Sequence, residues 1–234
     1  YAYCAGDPVN LVDPTGEAWY TVSDTISIMG YQFICNVIDW TDCNSQEEMD
    51  IVGQKGEFLG DRVLYIEGYL DERLGTDGTL DGPGAKCATA IAFGSAGPSD
   101  VAEYRAFTMS SDYSAYGAIA DGDYQITFSQ KKYDYWNNNP QKRKIPKYYQ
   151  VNNCQPIDCI DYNHSWLRNE GYSFLQKNGI YLHRTNRNGT AKGRVSTGCI
   201  LIDGRDWDDF ENQMGHNSMR MIIHRNKPFY SLQF

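Results

Sequence analysis

Ile180-Tyr181-Leu182-His183 is followed, after twelve intervening residues, by Ser196-Thr197-Gly198-Cys199-Ile200. A histidine and a cysteine so placed have the form of a cysteine nucleophile with its base. A thiol attacks a carbonyl as the thiolate, and a neighbouring imidazole can take the proton and hold the anion as an ion pair. Gly198 lets the backbone approach a ligand closely, and amide N–H groups in such a turn can serve as an oxyanion hole. Ser196 is placed to orient the imidazole or add a donor. Tyr181, Arg184, Arg194 and Thr197 flank the pair and are the candidate substrate contacts. A lone cysteine in a strand is more often a small buried hydrophobe, and a lone histidine more often a satisfied core residue. The company of His183, Ser196 and Gly198 is what singles out Cys199.

The chain has seven cysteines, an odd count that leaves a thiol over if the rest are bridged. Cys154 and Cys159, around Pro156, have the spacing of a small disulfide loop, and a bridge is expected there. His164, His216 and His224 have no paired metal-ligand spacing, and no cysteine stands at a zinc-knuckle distance from them. No metal and no cofactor is therefore expected.

The elements that must position this chemistry read as short strands. Eighteen Tyr, nine Phe and five Trp, with 22 Gly, describe a turn-rich β chain whose aromatic rings carry polar handles. Ala88–Phe93, Tyr104–Met109, Tyr124–Phe128, Ile180–His183, Cys199–Ile202 and Met219–His224 are strand-like runs, which predicts a mainly β antiparallel sandwich or small barrel. Gly204 to Gly215 reads as a helix with Trp207, Phe210 and Met214 on one face. Val63, Ile66, Leu70 and Leu74 stand near helical spacing, so 61–74 is expected to be a short helix. The turn clusters 75–78 and 81–84 suggest a boundary between a connecting segment, 18–84, and a C-terminal domain, 85–234.

At 234 residues the chain is long enough to bury a core, and 41% hydrophobic with 22% charged residues is ordinary globular composition. No apolar run approaches the ~20 residues that span a bilayer, so no membrane partner is expected. The net charge of −9 gives no overall footprint for a polyanion. One local exception is 131–149, where Lys131, Lys132, Lys142, Arg143, Lys144 and Lys147 alternate with Tyr133, Tyr135, Trp136, Tyr148 and Tyr149. Cations and rings in this mixture suit single-stranded nucleic acid. They equally suit a loop or lid near the thiol, read here as a long hairpin turning at Asn137–Pro140.

Residues 1–17, with Asp7-Pro8 and Asp13-Pro14 in a Tyr-x-Tyr context, resemble the closing motif of the Rhs repeat-associated core. The resemblance implies that the chain begins inside a longer protein and that the remainder is a delivered C-terminal toxin. It also implies an Rhs shell with its secretion machinery, and a cognate immunity protein.

His183 with Ser196-x-Gly198-Cys199 resembles the active-site signature of the L,D-transpeptidase (YkuD-type) family, over residues 100–234. Upstream, Ala120-Asp121-Gly122-Asp123-Tyr124 is similar to an early turn and strand of that family, with Ala120 where Pro is usual. The resemblance implies an L,D-transpeptidase-like β-sandwich or barrel with a few short helices. It also implies a peptidoglycan stem peptide as substrate and action in the periplasm or cell wall of a target cell. Three departures stand out: Thr197 replaces a common His, Leu201 a common Arg, and Arg184 a common Gly. The Arg contributes carboxylate binding in the family, so another cation is needed here. Arg194 is the first choice, followed by Arg184 and Arg205.

The expected function is thus an antibacterial effector acting on stem peptides through a Cys199 acyl-enzyme, as L,D-carboxypeptidase or by L,D-transpeptidase exchange. Two enzymatic alternatives remain: a nucleic-acid-directed toxin using 131–149, and a different cysteine protease or acyltransferase. Nucleic acid is not the favoured partner. A non-catalytic binding module would leave the Ser-x-Gly-Cys motif unexplained.

Overall fold

The computed structural model describes residues 18–28, 31–109, 117–139, 147–160, 174–191 and 198–226. These fall into two compact units. One holds the described residues up to Val63 with Phe93–Ala102, the other Leu64–Ala92 with the described residues from Glu103 onward.

In the first unit, β1 (Ala18–Ile28) and β2 (Tyr31–Thr41) form a long antiparallel pair, and β3 (Glu57–Gly60) adds to the other edge of β1. The cross-strand pair Trp19 and Trp40 meets edge to face at 4.8 Å, and Trp19 meets Phe93 in the same way. The Trp19 indole N–H reaches the Gly94 carbonyl at 2.8 Å, so this buried ring keeps its polar atom satisfied. Helix α1 (Gln46–Ile51) starts at Ser45, whose hydroxyl accepts the Glu48 N–H while the Glu48 carboxylate accepts from the Asn44 N–H. These two bonds satisfy donors that a helix start leaves open.

The second unit is built on a closed barrel. Its strands are β4 (Val63–Tyr69), β5 (Ala88–Phe93), β6 (Val101–Phe107), β8 (Gly122–Phe128), β9 (Tyr149–Val151), β12 (Tyr181–Arg184), β13 (Ile200–Ile202) and β14 (Met219–Asn226). Around the barrel the order is β12-β13-β6-β5-β4-β14-β8-β9. The mainly β expectation holds, and each of the six strand-like runs from Ala88 onward overlaps a strand. The purely antiparallel expectation does not, because β12 and β13 run parallel. A parallel pair needs a crossover, and the chain between Arg184 and Ile200 makes it, leading from His183 back to Cys199. A small sheet of β7 (Ala118–Ile119), β10 (Ile157–Ile160) and β11 (Phe174–Lys177) stands beside the barrel strands in sequence, ordered β11-β10-β7.

Two helices complete this unit among its described residues, α2 (Gln130–Asn138) and α3 (Trp207–Met214). α3 buries Trp207, Phe210 and Met214, as the spacing predicts. Phe210 meets Tyr104 edge to face at 5.4 Å, and Trp207 meets Tyr149 at 6.1 Å. The helix ends at Gly215, where φ is +63° and the N–H returns to the Glu211 carbonyl. α2 corrects the reading of 131–149 as a hairpin: its first part is helical through Asn138, and 140–146 lies outside the described residues.

The expected helix over 61–74 is also corrected, since Val63–Tyr69 is strand β4 with alternating burial. Gly68 stands in that strand where a side chain would not fit. A Cβ on it would lie 2.8 Å from Glu72 Oε1 and 3.2 Å from Arg225 Nη1. Those two side chains form a fully buried ion pair at 3.2 Å. Glu72 also accepts the N–H and hydroxyl of Thr108 and the N–H of Tyr69. Arg225 donates to the carbonyls of Tyr69 and Ile119. The pair thereby ties the ends of β4, β6, β7 and β14 together. No helix of the described residues is long and apolar enough to cross a membrane.

Candidate active site

Side chains alternate faces along a strand, and residues paired across a sheet share a face. In the parallel pair, Leu182 lies opposite Ile200, His183 opposite Leu201, and Arg184 opposite Ile202. Leu182, Arg184, Ile200 and Ile202 therefore share one face, together with Tyr149, the partner of Leu182 on β9. Tyr149 packs on Trp207 and Phe210, so this is the face that α3 covers. Tyr181, His183 and Leu201 look the other way. Cys199 stands just ahead of β13, so the topology brings the thiol to the start of the strand that pairs with the strand of His183, without a hydrogen bond between Sγ and Nε2.

His183 is fully buried. Its Nδ1 stands 2.9 Å from the carbonyl oxygen of Arg184, and that contact is a hydrogen bond only with the proton on Nδ1. Nε2 then carries the lone pair, and it is buried with no hydrogen-bond partner among the described residues. Burial lowers the imidazole to about 4, against the carbonyl bond, which raises it; the charges of Lys147 and Arg184 lower it further. His183 is thus a neutral, buried ring whose second nitrogen has no partner among the described residues.

Cys199 is a reduced thiol, buried at 2% exposure. Burial raises its pKa, while the main-chain N–H of Tyr181 and the charge of Lys147 favour the thiolate. With the thiol raised and the imidazole lowered, the resting pair is neutral. An ion pair held before substrate arrives, the arrangement anticipated from the sequence, does not fit these directions. Gly198, just before the thiol, has φ +114°, a conformation that a side chain disfavours.

Tyr181 forms the wall beside the thiol. Its hydroxyl receives a hydrogen bond from Lys132 Nζ at 3.2 Å, and its ring lies under Lys132 at 4.6 Å and under Lys147 at 5.2 Å. The hydroxyl is pushed up to about 12, first by a hydrogen bond with Cys154, then by burial and the nearness of Cys154 and Cys199. Cys154 sits at the end of three consecutive residues with positive φ, Asn152, Asn153 and Cys154, and its sulfur accepts from Gln150 Nε2 at 3.4 Å. Such a left-handed run costs roughly 1–2 kcal/mol per residue. Gln125 N–H bonding to the Asn152 side chain helps to hold it.

The expected Cys154–Cys159 bridge is absent, and both are reduced thiols. They serve different surroundings: Cys154 faces Gln150 and Tyr181, whereas Cys159 is fully buried on β10 opposite Ile119 and Leu175. Burial pushes Cys159 up to about 11 and Cys87 up to about 12.

Of the other candidates, Arg184 lies on the α3 face, with Nη1 on the Thr185 carbonyl and its charge facing Tyr148, Asp208 and Glu211. It is not brought to Cys199. Arg205 is taken up by Asp81 and Asp203. Its hydrogen bonds hold the buried Asp203 carboxyl below its ordinary value despite burial. Ser196, Thr197 and Arg194 lie outside the described residues. Pockets of about 320 Å³, beside Asp121 and Asp158, and about 430 Å³, beside Glu211 and His216, include neither Cys199 nor His183. Lys132, a residue not singled out as a site candidate from the sequence, is at the site because α2 carries it there. The only sequence signal for it was the basic aromatic run itself.

Comparison with known proteins finds no matching family, no similar curated protein and no similar solved structure.

Proposed function

We propose that the chain is a cysteine acyl-transfer enzyme in which Cys199 attacks a carbonyl and His183 moves the proton. The observation that carries this reading is His183 Nε2, a buried nitrogen without a partner among the described residues, on the strand that pairs with the one Cys199 leads into. An unsatisfied buried polar atom costs about 1–3 kcal/mol, and the chemistry gives it a use. From the neutral pair, Nε2 accepts the thiol proton as sulfur attacks, so the imidazolium forms only together with the new S–C bond. When the tetrahedral adduct collapses, the same proton passes to the departing amine, and the acyl group stays on sulfur. Water then releases a shortened acid, or an amine takes the acyl group in exchange.

The resemblance to the L,D-transpeptidase signature supports peptidoglycan stem peptides as the substrate, with a terminal D-residue removed or exchanged. The resemblance of residues 1–17 to the Rhs core supports an effector that is secreted by its producer, acts in a target cell's periplasm and is countered by an immunity protein. Lys132 stands at Tyr181, beside the thiol, which favours this reading over a nucleic-acid surface on 131–149.

Incubation of the full chain with defined tetrapeptide muropeptides, followed by mass spectrometry, tests the proposal. Loss or exchange of the terminal D-alanine is expected with the wild-type chain and not with Cys199→Ala, a fall of at least ~10³-fold. Equal turnover by Cys199→Ala overturns the nucleophile, and untouched muropeptides overturn the substrate.

A further inference from the structure

We infer that Lys132 and Lys147 form an anion-binding subsite beside Cys199, which holds a free carboxylate of the acyl donor. The inference deepens the reading of Cys199 as the attacking thiol and rests on it for its effect on turnover.

The two lysines come from separate elements. Lys132 lies in the first turn of α2, and Lys147 precedes β9, yet both ammonium groups converge on one half-buried ring, that of Tyr181. The chain carries a net charge of −9, so carboxylates to pair with them are plentiful. Neither lysine has one within ion-pair distance among the described residues, and the one carboxylate of α2, Asp134, bonds Gln130 instead. Two like charges drawn together repel, and cation–π contact at a partly exposed ring returns only about 0.5–1 kcal/mol each. A bound anion between them removes the repulsion.

The place is set by Tyr181, whose ring carries the lysines and whose main-chain N–H bonds the Cys199 sulfur. The residue that gathers the two ammonium groups is thus the one whose main chain meets the thiol. The field of Lys147 is felt by both Cys199 and His183, which puts the subsite within reach of both catalytic groups. The candidate cations nearest in sequence do not compete for this role: Arg184 faces α3, and Arg205 is held by two aspartates. A carboxylate suits two ammonium groups as well as a guanidinium does, though by point charge rather than by a planar fork. The substrate class is therefore an acyl donor with a free carboxylate close to its scissile carbonyl.

The test uses the thiol's own alkylation. Iodoacetate and iodoacetamide both form an S–C bond and expel iodide, but only iodoacetate carries a carboxylate. Their rate ratio at Cys199, read by peptide mass spectrometry at one pH, cancels any change in thiolate fraction. The ratio is expected to fall by about tenfold in Lys132→Gln/Lys147→Gln and to be retained in Lys132→Arg/Lys147→Arg. An unchanged ratio in the Gln pair, or a Cys199 that neither reagent labels, overturns the subsite. In parallel, muropeptides with a free or an amidated terminal carboxylate are compared: the wild-type chain is expected to prefer the free acid, and the Gln pair to lose the preference. A lysine-dependent alkylation ratio with untouched muropeptides leaves the anion subsite standing and removes the peptidoglycan reading alone.

Discussion

Two buried polar sites among the described residues of the second unit differ in kind: Glu72 with Arg225 is completed by hydrogen bonds, and His183 near Cys199 is not. Around Glu72 and Arg225 the carboxylate accepts from Thr108 and Tyr69, while the guanidinium serves the carbonyls of Tyr69 and Ile119. Around His183 one nitrogen is fixed by the Arg184 carbonyl and the other is left bare. A buried polar group normally finds its partners. Burial alone therefore does not mark chemistry. A completed cluster fixes strands, whereas an incomplete one keeps a reactive atom ready.

The largest effect that separates the two concerns the completed cluster. Arg225→Met leaves the Glu72 carboxylate buried without its cation and is expected to destabilise the chain by about 3–5 kcal/mol, read as a shift in urea midpoint. Replacing both partners with apolar residues often recovers such a loss. Here it is not expected to, because the carbonyls of Ile119 and Tyr69 lose their donor at the same time. A loss below ~1 kcal/mol for Arg225→Met would erase the contrast with His183.

That cluster was not legible in the sequence, and the reason is physical. Glu72 and Arg225 meet only because β4 and β14 are barrel neighbours, and no local pattern announces a pairing across most of the chain. The helix expected over 61–74 fails for the same reason: the room that Gly68 leaves for Glu72 and Arg225 is set by the barrel and not by any local pattern. The repeating unit of a strand or helix, by contrast, is local. Alternation gave β5, β8 and β14, and the spacing of Trp207, Phe210 and Met214 gave α3. His183 and Cys199 were legible as types and order, and the parallel pairing of β12 with β13 brings the segments that carry them together. Lys132 was hidden because its neighbourhood depends on how α2 is placed against Tyr181.

The incomplete cluster is sharpened by pH. The His183 pKa is about 4 in the folded chain, against 6.5 for an ordinary imidazole. Between these values the unfolded chain binds a proton that the folded chain refuses. The stability from a neutral His183 is thus fully present above pH 6.5 and lost as pH falls to about 4, a loss of about 3 kcal/mol. Urea unfolding from pH 7 to pH 4 should show this slope, and His183→Phe should remove it along with acyl transfer. A wild-type slope matching that of His183→Phe would mean that the ring titrates alike in the folded and unfolded chain, and the desolvated setting assigned to His183 would fall.

The smallest effect tests whether the completed cluster is graded or brittle. Thr108 gives Glu72 two bonds, from the hydroxyl to Oε1 at 2.7 Å and from the N–H to Oε2 at 2.8 Å. Thr108→Val keeps the shape and the main-chain bond and removes the hydroxyl alone. Glu72 Oε1 still has the Tyr69 N–H and Arg225 Nη1, so the expected cost is about 1 kcal/mol. In a double-mutant cycle with Arg225→Met the two losses should fall short of additive, since both variants weaken the same oxygen. Additive losses would mean that Thr108 acts through packing, and the contrast would then rest on the ion pair alone. A cost for Thr108→Val as large as that of Arg225→Met would mean that every bond is required at once, with the hydroxyl carrying as much of the strand junction as the guanidinium does.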